Sequence, residues 1–430
     1  TVYAGGLVFQ QVFGIKELWG IDFFWIAAIG LVVLTALYTI FGGMKSVLYT
    51  SVLQTPILLL GSLIILVLGF KELGGWDEMM RVCGAVTVND YGDTMTNLIR
   101  SNDDANFPWL GALIGSAIIG FWYWCTDQFI VQRVLSGKNE MEARRGTIFG
   151  AYLKLLPVFL FLIPGMIAFA LHQKYIGAGG EGFLPMLANG TANADAAFPT
   201  LVAKLLPAGV KGLVVCGILA ALMSSLASLF NSSAMLFTID FYKRFRPETP
   251  EKKLVGIGQV ATVVIVILGI LWIPIMRSVG DVLYTYLQDV QSVLAPGIAA
   301  AFLLGICWKR TSAQGGMWGL IAGMVIGLTR LGAKVYYSNA GEVADSTFKY
   351  LFYDMNWLFF CGWMFLFCII VVIVVSLATK APTAEKIQGL VFGTATKEQK
   401  AATRASWNHW DIIHTVIILA ITGAFYWYFW

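Results

Sequence analysis

The chain has 430 residues, of which 58% are hydrophobic, 14% aromatic and only 13% charged, with a formal net charge of +4. A soluble globular domain carries about 25% charged residues, so a soluble enzyme or a nucleic-acid-binding protein is excluded as the reading of this composition. The apolar residues fall in runs near the ~20 that carry a helix across ~30 Å of hydrocarbon, without the ten-residue alternation of a membrane β-barrel, which predicts an all-α polytopic membrane protein with lipid as its surroundings.

In chain order the apolar segments run approximately over 1–14, 22–41, 48–70, 109–127, 148–171, 210–240, 254–275, 282–307, 315–337, 356–378 and 411–430. The first is too short to span and reads as the end of a helix. Six cysteines (83, 125, 216, 307, 361 and 368) lie mostly within these segments and show no CxxC spacing, so no disulfide framework is expected. Gly319, Gly323 and Gly327 stand at GxxxG spacing in one segment, which lets helix backbones approach closely, although small residues facing lipid give the same pattern. The sequon Asn189-Gly-Thr falls in a connection and carries no firm assignment.

Alternating topology can be tested against charge. Connections bearing Lys45, Arg133–Arg145, Lys243–Lys253, Lys309–Arg310 and Lys380–Arg404 hold seventeen of the 29 Lys and Arg residues. The opposite connections hold eleven and are rich in Asp and Glu, including Asp77, Glu78, Asp93, Asp103 and Asp104. Because cytoplasmic connections carry the Lys/Arg excess, the first set faces the cytoplasm and the long loops 71–108 and 172–209 face outward. The remaining basic residue, Lys154, lies inside a predicted span.

Several polar groups sit where lipid would otherwise be the environment. Ala221, Ser224 and Ser225 share one helix face by their i, i+3, i+4 spacing. Two hydroxyls and a backbone carbonyl form an oxygen-only set that suits a hard cation such as Na+; equally, serines back-bond to the preceding turn or join helices. Lys154, one turn before Pro157, faces a cavity, a partner or, by extending its stem, the cytoplasmic surface. Tyr284, Gln288 and Gln291 draw a polar stripe along one helix face, suited to a watery path or to interhelical hydrogen bonds, while Asp289 points away from it; Pro296 is expected to bend that helix. Trp122, Tyr123 and Trp124 precede Cys125-Thr-Asp-Gln, where the helix is expected to continue in polar form; the aromatic cluster is either an interfacial belt or a face for stacking on a sugar ring. There is no Walker A motif, no metal spacing among His172, His409 and His414, and no nucleophile–base pair, so neither ATP-driven transport nor an enzyme is expected.

GILAALMSSLASLFNSSAMLFTIDFYKR (217–244) resembles the signature of the sodium:solute symporter family. ALYTIFGGMKSVLYTSVLQT (36–55), WYWCTDQFIVQRVLSGKN (122–139) and YLQDVQSVLAPGIAAAFLLGICWKR (286–310) are similar to its sodium/glucose cotransporter branch. The resemblance implies a leucine-transporter-like core of two inverted five-helix repeats. The partial first repeat would occupy 1–70, the second repeat 109–307, and three accessory helices 308–430; the leading helix and core helices one and two would be absent from this chain.

The resemblance further implies Na+ held by the carbonyl of Ala221 and the hydroxyls of Ser224 and Ser225. A neutral sugar would be hydrogen-bonded by Lys154 and Gln288 and stacked on Tyr123, with Trp124 as its neighbour. Two positions depart from the family pattern. Gly120 stands where relatives place a polar sugar contact, and Ser51 where cotransporters carry an aspartate, which weakens any cation role for that helix. The function so implied is sodium-coupled symport of a glucose- or galactose-like sugar across the plasma (inner) membrane by alternating access. A myo-inositol or other polyol symporter, and a solute sensor built on the same fold, are the alternatives.

Overall fold

The computed structural model describes residues 2–187, 190–279, 283–340 and 344–429. It divides into two compact units, one of residues 1–87, 94–96 and 153–278, the other of residues 88–93, 97–152 and 279–430. Among the described residues, eight helices are long and apolar enough to span a membrane, nine when one bent pair counts as a single span, and two apolar helices are shorter. Over the described residues each of the eleven expected apolar segments is thus largely helical.

In the first unit α1 (Val2–Phe13) leads through a two-stranded hairpin, Glu17–Leu18 with Ile21–Asp22. Trp19 and Gly20 turn the hairpin at φ 56° and 75°, the left-handed pair of a tight primed turn. Asp22 then caps α2 (Phe23–Leu73), its carboxylate accepting from the Phe24 N–H at 3.0 Å and the Gln10 amide at 2.9 Å.

Helical backbone runs through α2 without a break, yet its contacts exclude a straight rod. Leu31 packs with Leu226 and Phe230 of α9 (Ala208–Met235), whereas Ile57 meets Gly217 of the same helix. Twenty-six residues of straight helix rise about 39 Å and the nine from Gly217 to Leu226 only about 13.5 Å, so the direction of α2 reverses between Leu31 and Ser51, which meets Ser224. The predicted pair of spans, 22–41 and 48–70, corresponds to its two arms. A Cβ on Gly217 would stand 3.0 Å from Ile57, and one on Gly61 would run into Val214. These glycines let the second arm and α9 lie close and antiparallel.

The rest of this unit comprises α3 (Trp76–Gly84), α7 (Ile163–Gly177), α8 (Ala197–Leu205) and α10 (Glu251–Val279). Its core gathers Ile65, Leu73, Met79, Ile167, Leu171 and Leu201, all fully buried. α6 (Glu140–Pro157) enters α7 through a π-helical turn, Val158–Leu162, directly after Pro157. Proline lacks an N–H and crowds the preceding turn, and an extra residue per turn is one way a helix absorbs that defect. Burial in apolar surroundings pushes the Cys83 thiol up to about 11, which makes it an inert packing group.

The second unit holds α4 (Trp109–Cys125), α5 (Gln128–Leu135), α6 as far as Tyr152, α11 (Leu283–Cys307), α12 (Ala313–Asn339), α13 (Trp357–Ala378), α14 (Lys397–Ala405) and α15 (His409–Tyr428). The GxxxG row makes the helix contact its spacing suggests. A Cβ on Gly323 would lie 2.8 Å from the Gly297 Cα of α11, and Cβ atoms on Gly319 and Gly327 would run into Val372 and the Val293 carbonyl. α11 runs through Pro296 as one helix. Arg330 and Lys334 lie inside α12, within the predicted span 315–337. The sequon residue Asn189 lies outside the described residues.

The acidic loop before α4 is internally bonded. Asp104, 5% exposed, accepts from the Phe107 N–H at 2.7 Å and the Asn106 N–H at 2.9 Å, and pairs with Arg100 at 3.5 Å. Burial pushes its carboxyl up, but the Phe107 and Asn106 amides, Arg100 and Asn89 together hold it below the usual carboxylate value. For Asp93 the Asn89 amide and then the Ser101 N–H lower the value. A carboxyl whose folded value is depressed stabilises above its unfolded value, near 3.9, and loses that contribution as pH falls. Pepsin cleavage within 88–107 should therefore accelerate as pH drops below about 4. In Asp104→Asn, which loses roughly 1–3 kcal/mol of charge-assisted bonding, cleavage should already be fast above that pH. Cleavage that is equally slow in both proteins at pH 5 would show that Asp104 does not hold the loop.

Candidate functional site

The hydroxyl pair lies on α9 in the first unit. Ser224 is 6% exposed, and Ala221 and Ser225 are half-buried. The close packing at Gly61 and Gly217 continues about two to three turns further to bring Ser51 of the second α2 arm against Ser224, Oγ to Oγ at 2.5 Å. Ser224 thus turns into the protein, where a hydroxyl keeps two acceptor lone pairs besides its one donor. If Ser224 donates to Ser51, its lone pairs stay available to a cation beside Ser225 and the Ala221 carbonyl. Ser51 therefore sits at the hydroxyl pair as a neutral hydrogen-bond partner, a placement that the loss of the family's aspartate did not suggest. Among the described residues no group of three or more His, Cys, Asp or Glu side chains is placed to hold a metal ion, so the hydroxyl set is the oxygen cluster to consider.

Lys154 belongs to the same unit. Its side chain is exposed near the end of α6, three residues before Pro157 and the π turn. The other three residues expected to bind solute, Tyr123, Trp124 and Gln288, belong to the second unit.

The aromatic pair ends a helix, and the expected polar continuation does not occur. α4 stops at Cys125 and α5 starts at Gln128, bent by 48°. Thr126 and Asp127 cause the break. The N–H groups of both reach the Trp122 carbonyl at 3.0 Å, and the Thr126 hydroxyl donates to it at 2.8 Å. The Asp127 carboxylate caps α5 through the Phe129 N–H at 3.1 Å. Side chains that satisfy the backbone locally favour a helix end over its interior. Tyr123 is left half-buried, with Trp124 edge-on at 5.2 Å and 51% exposed. A Cβ on Gly120, one turn earlier, would meet nothing within 4 Å.

On α11 the polar stripe bonds partly to itself. The Gln288 amide donates to the Tyr284 hydroxyl at 3.3 Å, and the Tyr284 ring lies 6.4 Å from that of Phe107. Asp289 points to another helix. Lys334 donates to its Oδ2, and Arg330 lies 3.6 Å from Oδ1. Arg330 is fully buried, its guanidinium donating to the Met355 carbonyl at 2.8 Å and lying 4.0 Å from the centre of the Phe360 ring. The sequence reading missed this triad, although its signal was present: a carboxylate in the predicted span 282–307 and two cations in 315–337. Charges at membrane depth are costly and point to a specific partner.

The model of the sodium:solute symporter family matches residues 1–323. The chain is 34% identical to the sodium/mannose cotransporter of Bos taurus, over all of this chain and 74% of that protein. It is 35% identical to sodium/myo-inositol cotransporter 2 of Homo sapiens, covering 91% of this chain and 59% of that one. To sodium/glucose cotransporter 1 of Ovis aries it is 37% identical, covering 87% and 58%. The chain thus spans less than two thirds of the length of the last two relatives. In structure it is similar to a Na+-coupled sialic acid symporter solved substrate-bound and outward-open, with a TM-score of 0.64 over 89% of this chain and 73% of that one, at 21% identity. This likeness supports the leucine-transporter-like helical fold. With the family model covering most of its length and cotransporters as its relatives, the chain is a multi-pass membrane protein that belongs to the sodium:solute symporter family.

Proposed function

We propose that the chain carries out sodium-coupled symport of a neutral, polyhydroxylated solute of the sugar or polyol class across the plasma membrane. The observation that carries this reading is the inward-turned Ser224 hydroxyl of α9, with Ser51 beside it and Ser225 next to it in the chain. Oxygen ligands without a carboxylate suit a hard monovalent cation bound weakly enough to be released. Na+ is here a transported substrate, held by the Ala221 carbonyl and the Ser224 and Ser225 hydroxyls. One positive charge moving inward gains about 2.3 kcal/mol per 100 mV, and the sodium gradient adds to it. Coupling requires that Na+ favour the state in which solute binds well, a linkage that acts equally in both directions. Binding near the midplane followed by rocking of one bundle against the other is the alternating-access scheme of such folds.

For the solute, the Lys154 ammonium and Gln288 amide supply hydrogen bonds, and Tyr123, with Trp124 edge-on to it, supplies an aromatic face. The relatives named for mannose, myo-inositol and glucose support an uncharged, hydroxyl-rich solute. Proteoliposomes with an imposed Na+ gradient test this reading. Uptake of one labelled solute among these three should require Na+, be driven by an inside-negative potential, and be competed by the preferred member of the set. Saturable binding of all three without Na+-dependent flux would instead identify a sensor.

A further inference from the structure

We propose that Asp289, clamped by Lys334 and Arg330, is a positioning residue that sets the rotation of α11 and thereby aims the Gln288 amide at the solute. The inference rests on Gln288 being a solute contact, as proposed above. Residues 288 and 289 are neighbours on one helix and point about 100° apart. Fixing one side chain therefore fixes the azimuth of the other.

The clamp is built for direction. Lys334 donates to Asp289 Oδ2, while Oδ1 is buried without a hydrogen bond and sees Arg330 at 3.6 Å. Arg330 is itself immobile, held by the Met355 carbonyl at 2.8 Å, the Leu351 carbonyl at 3.4 Å and the face of Phe360. The anchor is thus tied to two elements besides α11. One turn along α11 the Ser292 hydroxyl donates to the Asp289 carbonyl at 2.6 Å, so the backbone that carries Asp289 is also tethered locally.

Stability alone does not account for such a group. Apolar residues of equal volume usually serve stability as well or better than a buried ion pair, and the best-attested use of buried charge is to specify register. Here the register at stake is rotational. A slip of about 15° at a side-chain radius of about 6 Å moves the amide by roughly 1.5 Å, enough to carry it out of hydrogen-bond range. The clamp adds a directional constraint to the apolar and glycine packing between α11 and α12.

The test is solute uptake at saturating Na+, with equilibrium solute binding measured in parallel. Asp289→Asn should raise the solute KM about tenfold while the Na+ half-saturation and maximal rate stay within about twofold. Exchanging the charges, Asp289→Lys with Lys334→Asp, should bring KM back to within about threefold of the parent. Should Asp289→Asn not reach the membrane, Lys334→Gln carries the same expectation, because it leaves Arg330 in place. Solute and sodium constants that move together, or an unchanged KM in folded Asp289→Asn, overturn the proposal. Gln288→Ala separates the two levels. A raised KM there with none in Asp289→Asn sinks the positioning role alone, and an unchanged KM in Gln288→Ala removes the solute contact and this inference with it.

Discussion

Ser225→Ala and Ser224→Ala should each raise the Na+ concentration for half-maximal transport by at least about tenfold, the equivalent of 1.4 kcal/mol, with the double variant losing sodium dependence altogether. An alanine at either position removes an oxygen from a set that has no carboxylate to compensate, so the cation must regain a water or leave a coordination position poorly filled. The two variants should differ in detail. Ser225 is the more accessible hydroxyl, and its loss should act on Na+ alone. Ser224 shares a hydrogen bond with Ser51, so its removal also loosens the contact between α9 and the second arm of α2. Ser51→Ala isolates that second effect. It keeps both proposed ligand hydroxyls but takes away the hydrogen-bond partner of Ser224, and should raise the half-saturation by a smaller factor, about threefold. Linkage supplies the internal check: at saturating Na+ the solute KM of Ser225→Ala should return to that of the parent. Unaltered sodium dependence in Ser225→Ala would remove α9 as the cation site.

The serine face was legible because i, i+3, i+4 spacing fixes a shared face on any helix, whatever packs against it. Its partner was not. Ser51 was read as a lost charge, and only the approach permitted by Gly61 and Gly217 turns it into a neighbour of Ser224. Spans were legible for a similar reason. Apolar length alone locates 356–378 and 411–430, which the structure places at Trp357–Ala378 and His409–Tyr428. Two local features escaped that reading. The reversal of α2 carries no turn signal in hydropathy and shows in which residues of α9 each arm touches. The helix end at Cys125 depends on Thr126 and Asp127 bonding to the backbone, chemistry that hydropathy does not register. The Asp289 triad escaped because Asp289 lies more than forty residues from Arg330 and Lys334, and those two lie near the end of their span, where they pass for loop charges.

Gly327→Leu should abolish the close packing of α11 and α12 and with it most of the folded protein. In lipid, helices gain no hydrophobic drive from meeting one another and associate through van der Waals contact and interhelical polar bonds. Along α12 that contact is backbone to backbone: a Cβ at 323 meets the Gly297 Cα at 2.8 Å, and one at 327 runs into the Val293 carbonyl. No flexible side chain is present at either point to move aside, so α11 and α12 must separate. Overpacking a rigid interface typically costs about 1–3 kcal/mol, and here the cost is compounded because Asp289 and Lys334 pair across the same two helices. Separation would leave a charged group unpaired at membrane depth. Gly332 provides the contrast on the same helix. A Cβ there meets nothing within 4 Å, so Gly332→Ala should leave the thermal midpoint unchanged or raise it slightly, as alanine is the better helix former. Size-exclusion thermal melts in detergent should thus show a sharp loss for Gly327→Leu, an intermediate loss for Gly327→Ala and none for Gly332→Ala. Equal midpoints for Gly327→Leu and the parent would mean that α12 does not meet α11 along this row, and the clamp on Asp289 would lose the interface that carries it.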